Sequence, residues 1–322
     1  MMKHQEKNLK RNAKEIKVNS KQLHHNTLFK IKDLGTLFKT TFKEWYDKDP
    51  FRQSAIIAYY AIFSIPGLLV LIITITGYFF GKDIVNQNIL MEISNTMGAD
   101  IAVQINDILT KAGESKSTVL GSSIGISILL IGATGVFVEL QKSLNCIWKV
   151  KAVPQKGILL FFKARIFSFG LILAIAFLLL ISLVISTAIA AFGNFIKIDS
   201  SSLMIMFFNG FNFIFSLAVV SILFALMFKI LPDAKIKWKH VWLGSLVTGL
   251  LFTIGKTALA FYFGKAAPAS VYGAAGSVIL ILLWVSYSSM IMFFGAEFTA
   301  TYANMYSAKV LPTEIAKKDT SI

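Results

Sequence analysis

Residues 54–80 read SAIIAYYAIFSIPGLLVLIITITGYFF, and no charged side chain occurs between Arg52 and Lys82. About 20 helical residues cross a hydrocarbon core of about 30 Å, so this stretch is long enough to span a membrane. The composition agrees, because 55% of the 322 residues are hydrophobic and 15% are charged, against about 25% charged residues in soluble domains. The sequence therefore predicts a membrane protein whose first span lies here.

Five further apolar stretches follow the first, and one of them is interrupted in its middle by Lys256. The six predicted spans cover residues 54–80, 119–141, 165–192, 203–229, 242–264 and 276–301. Helices are expected because a membrane offers no water to exposed backbone groups, which a helix satisfies internally. The predicted fold class is all-α, a polytopic membrane protein with six transmembrane helices in one membrane domain of residues 28–305.

Lysine and arginine residues are concentrated in alternate connections between the predicted spans. One set of connections carries them within residues 39–52, 142–165, 229–239 and 309–318, while the other set carries few of them and also holds acidic residues. Cytoplasmic connections hold the excess of lysine and arginine in membrane proteins. The pattern predicts a multi-pass protein of a bacterial inner membrane with both its N-terminus and its C-terminus in the cytoplasm.

Amphipathic helices are predicted on both sides of the first span. From Leu28 to Tyr46, apolar residues recur at helical spacing and lysines occupy other positions, which is typical of a helix on the inner leaflet. Residues 84–112 show the same period, which predicts a helical cap over the outer face. Residues 1–27 and 306–322 are interpreted as cytoplasmic tails, the first of them disordered. The expected partner is the lipid bilayer, with anionic inner-leaflet lipids at the basic N-terminal segment.

Five short motifs occur in order along the predicted spans. They are Ala58–Ser64 with Pro66, Ser143–Asn145 with Ile147 and Trp148, Lys229–Asp233, Tyr272–Ser277 and Gly295–Phe298. In these motifs the chain resembles the YihY/virulence factor BrkB family of bacterial inner-membrane proteins, with Cys146 standing where the family often has a polar or charged residue. The resemblance implies the same membrane location. Members have been linked to resistance to host killing, discussed as transporters, and formerly mislabelled ribonuclease BN.

No arrangement of residues typical of an enzyme occurs in the sequence. The histidines His4, His24 and His25 lie in the N-terminal tail, and the sequence around His240 does not have the HExxH spacing of a zinc site. The single cysteine, Cys146, excludes an internal disulfide and a cysteine-rich metal site. We therefore expect a protein that is not an enzyme, with no catalytic residues, no metal and no cofactor, and we do not expect nucleic acid as a partner.

Charged residues near the inner ends of the spans form the first candidate site. Ionisable groups at bilayer depth are costly and often functional. A rise of about 1.5 Å per residue places several such groups at one level. This candidate inner polar cluster consists of Glu139, Glu297, Arg52, Lys142, Arg165 and Lys229. Two interpretations are open: the acids neutralise neighbouring bases at helix ends, or the cluster is a gate or a proton-handling site.

Polar residues around Lys256 form the second candidate site. By the same helical rise, this lysine lies roughly 9 Å inside the outer boundary of the membrane. The candidate outer polar vestibule consists of Lys256, Asn209, Asn212, Ser286 and Tyr287. In one interpretation the lysine side chain extends to the outer interface beside Lys265. In the other, the vestibule attracts a small anionic ligand.

The favoured function is a transporter-like or permease-like activity, based on the charged residues inside the spans and on Pro66. Proline in a helix interior bends the helix, so Pro66 is expected to kink the first span, either as a tolerated bend or as a functional hinge. The alternative is a structural or envelope-integrity membrane protein that acts through lipid or protein contacts. Ribonuclease activity is the least favoured.

Overall fold

A computed structural model describes residues 33–80, 82–97, 99–114, 119–153, 202–266, 276–306 and 310–319. The predicted N-terminal tail, residues 1–27, and the predicted third span, residues 165–192, lie outside these residues. The described part is mostly helical, which confirms the all-α class. Within it, three helical segments are long and apolar enough to cross a membrane, namely Gly210–Ile230, Trp238–Phe263 and Val278–Tyr306.

The described residues form eight helices and four short strands. The helices are α1 (Leu34–Asp47), α2 (Pro50–Phe80), α3 (Lys82–Met97), α4 (Ala99–Glu114), α5 (Val119–Ile147), α6 (Ser202–Ile230), α7 (Trp238–Ala266) and α8 (Gly276–Tyr306). The strands are β1 (Val150–Ala152), β2 (Ala234–Lys235), β3 (Leu311–Pro312) and β4 (Ala316–Lys318). Strand β1 pairs with β4 and strand β2 with β3, both antiparallel. The sequence does not predict these strands, because segments this short carry no periodic signal and pair with distant residues.

Helix α7 packs between α6 and α8, and glycines on α7 allow both approaches. Gly249 faces Ser221 of α6, and Gly255 faces the Tyr287 side chain of α8. Small residues matter here because helices in lipid associate through close van der Waals packing rather than through the hydrophobic effect. The helix is antiparallel to both neighbours, as expected for helices that follow each other across a membrane.

The contact between α7 and α8 is reciprocal. Thr299 of α8 occupies the space that a Cβ atom at Gly244 would need, and Thr248 of α7 occupies the equivalent space at Gly295. Both hydroxyls are satisfied within their own helices, since Thr248 donates to the Gly244 carbonyl at 2.6 Å and Thr299 donates to the Gly295 carbonyl at 2.8 Å. Each helix therefore supplies one glycine and one threonine to an interlocked pair.

A second helix pair, α2 and α5, also packs closely at glycine residues. A Cβ atom at Gly132 of α5 would lie 3.1 Å from the Ser64 backbone nitrogen and 3.1 Å from the Tyr60 carbonyl oxygen of α2. Gly135, one turn later, lies against the Tyr60 ring. Helix α8 also packs against α2 and thereby joins the two groups of helices.

All four strands lie at one end of the helix bundle, which we call the strand face. The ends of α5, α6 and α8 and the start of α7 meet there, because the strands are their direct continuations. Helix α1 also lies at this face, where its Phe38 ring centroid is 5.3 Å from that of Phe298 in α8. The C-terminal strands thus connect the segment after α5 to the segment after α6.

Helix α4 lies at the opposite end of the bundle. Its residues Ile101, Ile105 and Leu109 are buried with Phe263, near the end of α7, and Leu280, near the start of α8. These three residues belong to the helical period that predicted an outer cap. Helix α2 continues as one helix through position 66, so the chain beyond that position remains helical. Whether Pro66 acts as a hinge stays a prediction.

The interlock between α7 and α8 yields a stability prediction. We expect Gly244→Ala to destabilise the protein by about 1–3 kcal/mol, as is usual for overpacked interiors, because the new Cβ atom would lie 2.8 Å from the Thr299 Cβ atom. Loss of monodisperse protein on heating in detergent measures the effect. The matched control is Gly210→Ala in α6, where no atom of the described residues lies within 4 Å of the added atom. Equal melting behaviour of the two variants would contradict the interlock.

Candidate functional site

A buried ion pair joins the connection between α1 and α2 to the central helix α8. The Lys48 Nζ atom lies 2.7 Å from Glu297 Oε2, and the two side chains are only 8% and 4% exposed. The connection turns sharply here, with Asp49 in the left-handed region at a φ of 53°. Gln53 stabilises the turn by donating from Nε2 to the Lys48 carbonyl at 2.6 Å. The fold therefore directs the lysine side chain inward.

Burial determines how much this ion pair contributes to the stability of the protein. Two charges removed from water lose hydration, and their mutual attraction offsets that loss only when the geometry is good. Removing one partner leaves an uncompensated buried charge and costs about 3–5 kcal/mol. Lys48 and Glu297 therefore depend on each other, and a change that weakens one of them frees the other.

Two further charged residues extend the pair to the surface. Glu44 Oε2 lies 3.7 Å from Lys48 Nζ and 3.6 Å from Lys149 Nζ, so Glu44 bridges the two lysines. The side chains of Glu44 and Lys149 are 42% and 43% exposed. Lys149, Glu44, Lys48 and Glu297 form a row of alternating charge from the surface to a buried carboxylate, which we call the charged row.

Buried hydroxyl groups lie on the helices that carry or surround the charged row. Thr41 of α1 and Ser54 of α2 are fully buried, and Ser143 of α5 is 3% exposed. The hydroxyl oxygens of all three have no hydrogen-bond partner within the described part of the chain. Buried polar groups are ordinarily bonded, and a hydroxyl can both donate and accept, so these groups are available to a polar ligand or to water.

A second polar centre at the strand face surrounds Asp233, which follows α6. Asn145 of α5 donates to the Asp233 carboxylate at 2.8 Å and accepts from its backbone N–H at 2.8 Å. Gln141 donates to the same carboxylate at 3.2 Å. The Asp233 carbonyl accepts from the backbone N–H of Thr313 in the C-terminal tail at 3.0 Å. This Asp233 junction ties α5, the α6–α7 connection and the tail together.

The residues of the predicted inner polar cluster form separate contacts in the structure, although the helical rise places them at one level. Glu297 pairs with Lys48, whereas Arg52 pairs with Asp49 at 2.8 Å in an exposed contact. Glu139 lies 3.8 Å from Lys142, one turn away on the same helix. Lys229 donates to the Ile236 carbonyl, and Arg165 lies outside the described residues.

Lys48 and the Asp233 junction are the groups that sequence reasoning did not assign to the site. Lys48 does belong to the lysine-rich segment before the first span, and Asn145 and Asp233 belong to two of the family motifs. Their pairing could not be found from the sequence, because it depends on the turn at Asp49 and on contacts between distant segments. The signal that the sequence offered was a polar residue inside each of these two motifs, Asn145 in one and Asp233 in the other.

The outer vestibule residues lie on three helices. Lys256 of α7 and Ser286 and Tyr287 of α8 are half-buried, and Asn212 of α6 is exposed. Tyr287 packs against Gly255, the residue beside Lys256. Among the described residues Lys256 forms no ion pair, and the Asn209 side chain lies outside the described part. That these groups hold an anion stays a prediction, as does the absence of a metal.

Comparison with known proteins gives consistent matches. The family described as Virulence factor BrkB matches residues 41–319. A UPF0761 membrane protein of Saccharophagus degradans is 25% identical over 84% of this chain and 60% of its own length. One from Tolumonas auensis is 25% identical over 80% of this chain and 82% of its own length. One from Verminephrobacter eiseniae is 29% identical over 65% of this chain.

The chain spans about half the length of the Verminephrobacter eiseniae relative, 48%, so the whole activity of such longer proteins does not transfer to it directly. No solved structure matches the chain. The matches thus concern the family and its membrane character.

The ion pair yields a second prediction. Glu297→Gln and Lys48→Met should each lower stability by about 3–5 kcal/mol, because each leaves a buried group without its partner. The double variant Lys48→Met/Glu297→Met should be more stable than either single variant. Melting in detergent measures all three. Arg52→Gln is the control, since its exposed pair should contribute less than about 1 kcal/mol. Additive losses in the double variant would contradict mutual dependence.

Proposed function

This chain belongs to the virulence factor BrkB family, and from that premise we propose that it is a multi-pass protein of a bacterial inner membrane with a transporter-like, permease-like activity. Its membrane character is supported by the membrane-protein relatives and by the apolar helices of its described part. The permease activity is supported chiefly by the charged row. A row of charges that ends at a buried carboxylate is an expensive feature in a membrane protein, and such features are usually functional.

The proposed topology has six spans with both termini in the cytoplasm. The end of α5 lies at the strand face, and the end of α6 lies there too. Helix α6 therefore starts at the opposite face. The proposed six spans include the predicted span of residues 165–192, which lies outside the described residues. The strand face carries the lysine-rich connections, so by the positive-inside rule it is the cytoplasmic face.

In the proposed mechanism the charged row is a closed gate on the cytoplasmic side. Lys48 and Glu297 hold the α1–α2 connection against α8. A proton on Glu297, or an anion that replaces this carboxylate at Lys48, weakens the pair and allows the connection to move. The hydroxyls of Thr41, Ser54 and Ser143, which have no hydrogen-bond partner among the described residues, then offer hydrogen bonds to a polar ligand. On the opposite side, the cation of Lys256 attracts a small anionic ligand.

The second candidate function is a structural or envelope-integrity protein that acts through lipid or protein contacts. The Asp233 junction favours it, because a strand face held by both side-chain bonds and strand pairing resists opening. A protein of this kind would retain the charged row only as a fastening between α1, α5 and α8. We propose neither an enzyme nor a nucleic-acid-binding protein, and a metal or another cofactor forms no part of either mechanism.

The topology can be tested with single cysteines in a Cys146→Ser background. Asp107 of α4 and Lys237 before α7 are both exposed, on opposite faces. We expect Asp107→Cys to react with a membrane-impermeant maleimide added to intact spheroplasts, and Lys237→Cys to react only after lysis. Reaction of Lys237→Cys in intact spheroplasts would contradict the proposed orientation.

Transport can be tested with purified protein in liposomes loaded with chloride or inorganic phosphate. If the ion pair closes a gate, Lys48→Met/Glu297→Met should release these anions several-fold faster than wild type. The control Arg52→Gln breaks the exposed pair with Asp49 beside the same connection, leaves the turn residue unchanged, and should leave the rate unchanged. Lys256→Met should slow anion release. Rates equal to protein-free liposomes for wild type and the double variant would contradict the permease and favour the structural protein.

A further inference from the structure

The start of α7 presents an exposed surface of lysine and tryptophan side chains. The segment before α7 is extended, so Ala234 and Ile236 point inward while Lys235 and Lys237 point outward. The first turn of α7 then adds further exposed residues. We call this the Lys–Trp surface, formed by Lys235, Lys237, Trp238, Lys239 and Trp242.

The two tryptophans are held in place although they are exposed. Trp238 and Trp242 are 46% and 49% exposed, and their ring centroids lie 6.1 Å apart on one side of the helix. Lys229 of α6 lies behind Trp238, with Nζ 5.8 Å from the ring centroid. A large aromatic pair fixed in an exposed position is typical of a surface that contacts a partner.

The charge of the surface is not balanced by neighbouring residues. Residues 229–240 contain four lysines and a single acid, Asp233, whose carboxylate is engaged by Asn145 and Gln141. Within the described part of the chain, Lys235, Lys237 and Lys239 form no ion pair. The partner of this surface should therefore be an anion.

The position of the Lys–Trp surface along α7 indicates which kind of anion binds there. The apolar segment Trp238–Phe263 begins at the first of the two tryptophans. At about 1.5 Å per residue, Trp242 lies about 6 Å further along the helix axis, towards the membrane interior. Tryptophan rings prefer the headgroup region of a bilayer, where the ring is in apolar surroundings and the indole N–H remains hydrated. A nucleic acid could not stack on rings at that depth.

We propose that the Lys–Trp surface binds anionic phospholipid headgroups of the leaflet at the strand face. The lysines contact the headgroup phosphates and the tryptophans lie among the upper acyl chains. This inference rests on the membrane placement in the proposed function, not on transport activity. It also adds a lipid contact on α7, separate from the basic N-terminal segment.

The test uses the full chain in phosphatidylcholine bilayers titrated with brominated phosphatidylglycerol, which quenches nearby tryptophans. We expect stronger quenching than with brominated phosphatidylcholine at the same mole fraction, and loss of most of that difference in Trp238→Phe/Trp242→Phe. Lys235→Gln/Lys237→Gln/Lys239→Gln should lower the preference for phosphatidylglycerol at least about tenfold, since each juxtamembrane lysine contributes about 1 kcal/mol. An unchanged preference would overturn the proposal.

The control is Lys317→Gln/Lys318→Gln, which removes exposed lysines of β4 at the same face, outside the Lys–Trp surface. An equal loss in this control would mean that any positive charge suffices, which overturns a specific surface. Competition by dissolved inorganic phosphate would identify a free anion as the ligand, and RNA binding lost in the triple variant would identify a nucleic acid; either result refutes the lipid. A chain removed from the vesicles by alkaline extraction would refute the membrane placement itself, whereas full incorporation without lipid preference would refute this inference alone.

Discussion

Apolar helices gain little by contacting one another in a bilayer, because the lipid chains around them are equally apolar. The structure meets this constraint by close approach at small residues. Thr299 fits over Gly244 and Thr248 fits over Gly295, so α7 and α8 interlock through two equivalent contacts. Helix α8 also packs on α2 and α1. The position of Glu297, only two residues from Thr299, therefore depends on this interlock, and so does the site built around it.

Burial separates the charged groups of the strand face into two kinds. The pair of Lys48 and Glu297 is almost completely buried, whereas the side chains of Arg52 and Asp49 are 64% and 56% exposed. Exposed pairs contribute little, because water and salt screen them and two long side chains lose freedom. Buried pairs carry a large desolvation cost and a large penalty when broken. A switch needs an interaction of the second kind, and the structure has one where α1, α2 and α8 meet.

The sequence was sufficient for the all-α class, for the family resemblance and for the helical nature of most predicted spans. Those features depend on charge-free length and on local period, which each segment carries by itself. The partner of Glu297 could not be predicted from the sequence. The helical rise places Arg52 and Lys48 at almost the same depth, and only the turn at Asp49 determines which of the two side chains points inward. The strands could not be predicted either, because they depend on contacts between distant segments. Ala316–Lys318 forms a strand only because Val150–Ala152 lies beside it.

The contacts at the strand face divide it into two units. The Asp233 junction and the two small sheets join α5, the α6–α7 connection and the tail, while the buried ion pair joins the α1–α2 connection to α8. Glu44 and Lys149 bridge the two units through an exposed contact of 3.6 Å, which contributes at most about 1 kcal/mol. In the proposed gate, an opening motion would separate the units first at Glu44 and Lys149. That separation would remove Lys149 from Glu44, which stays beside Lys48 on the same segment, and it would bring solvent closer to the buried pair. The weak outer contact would then control access to the strong inner one.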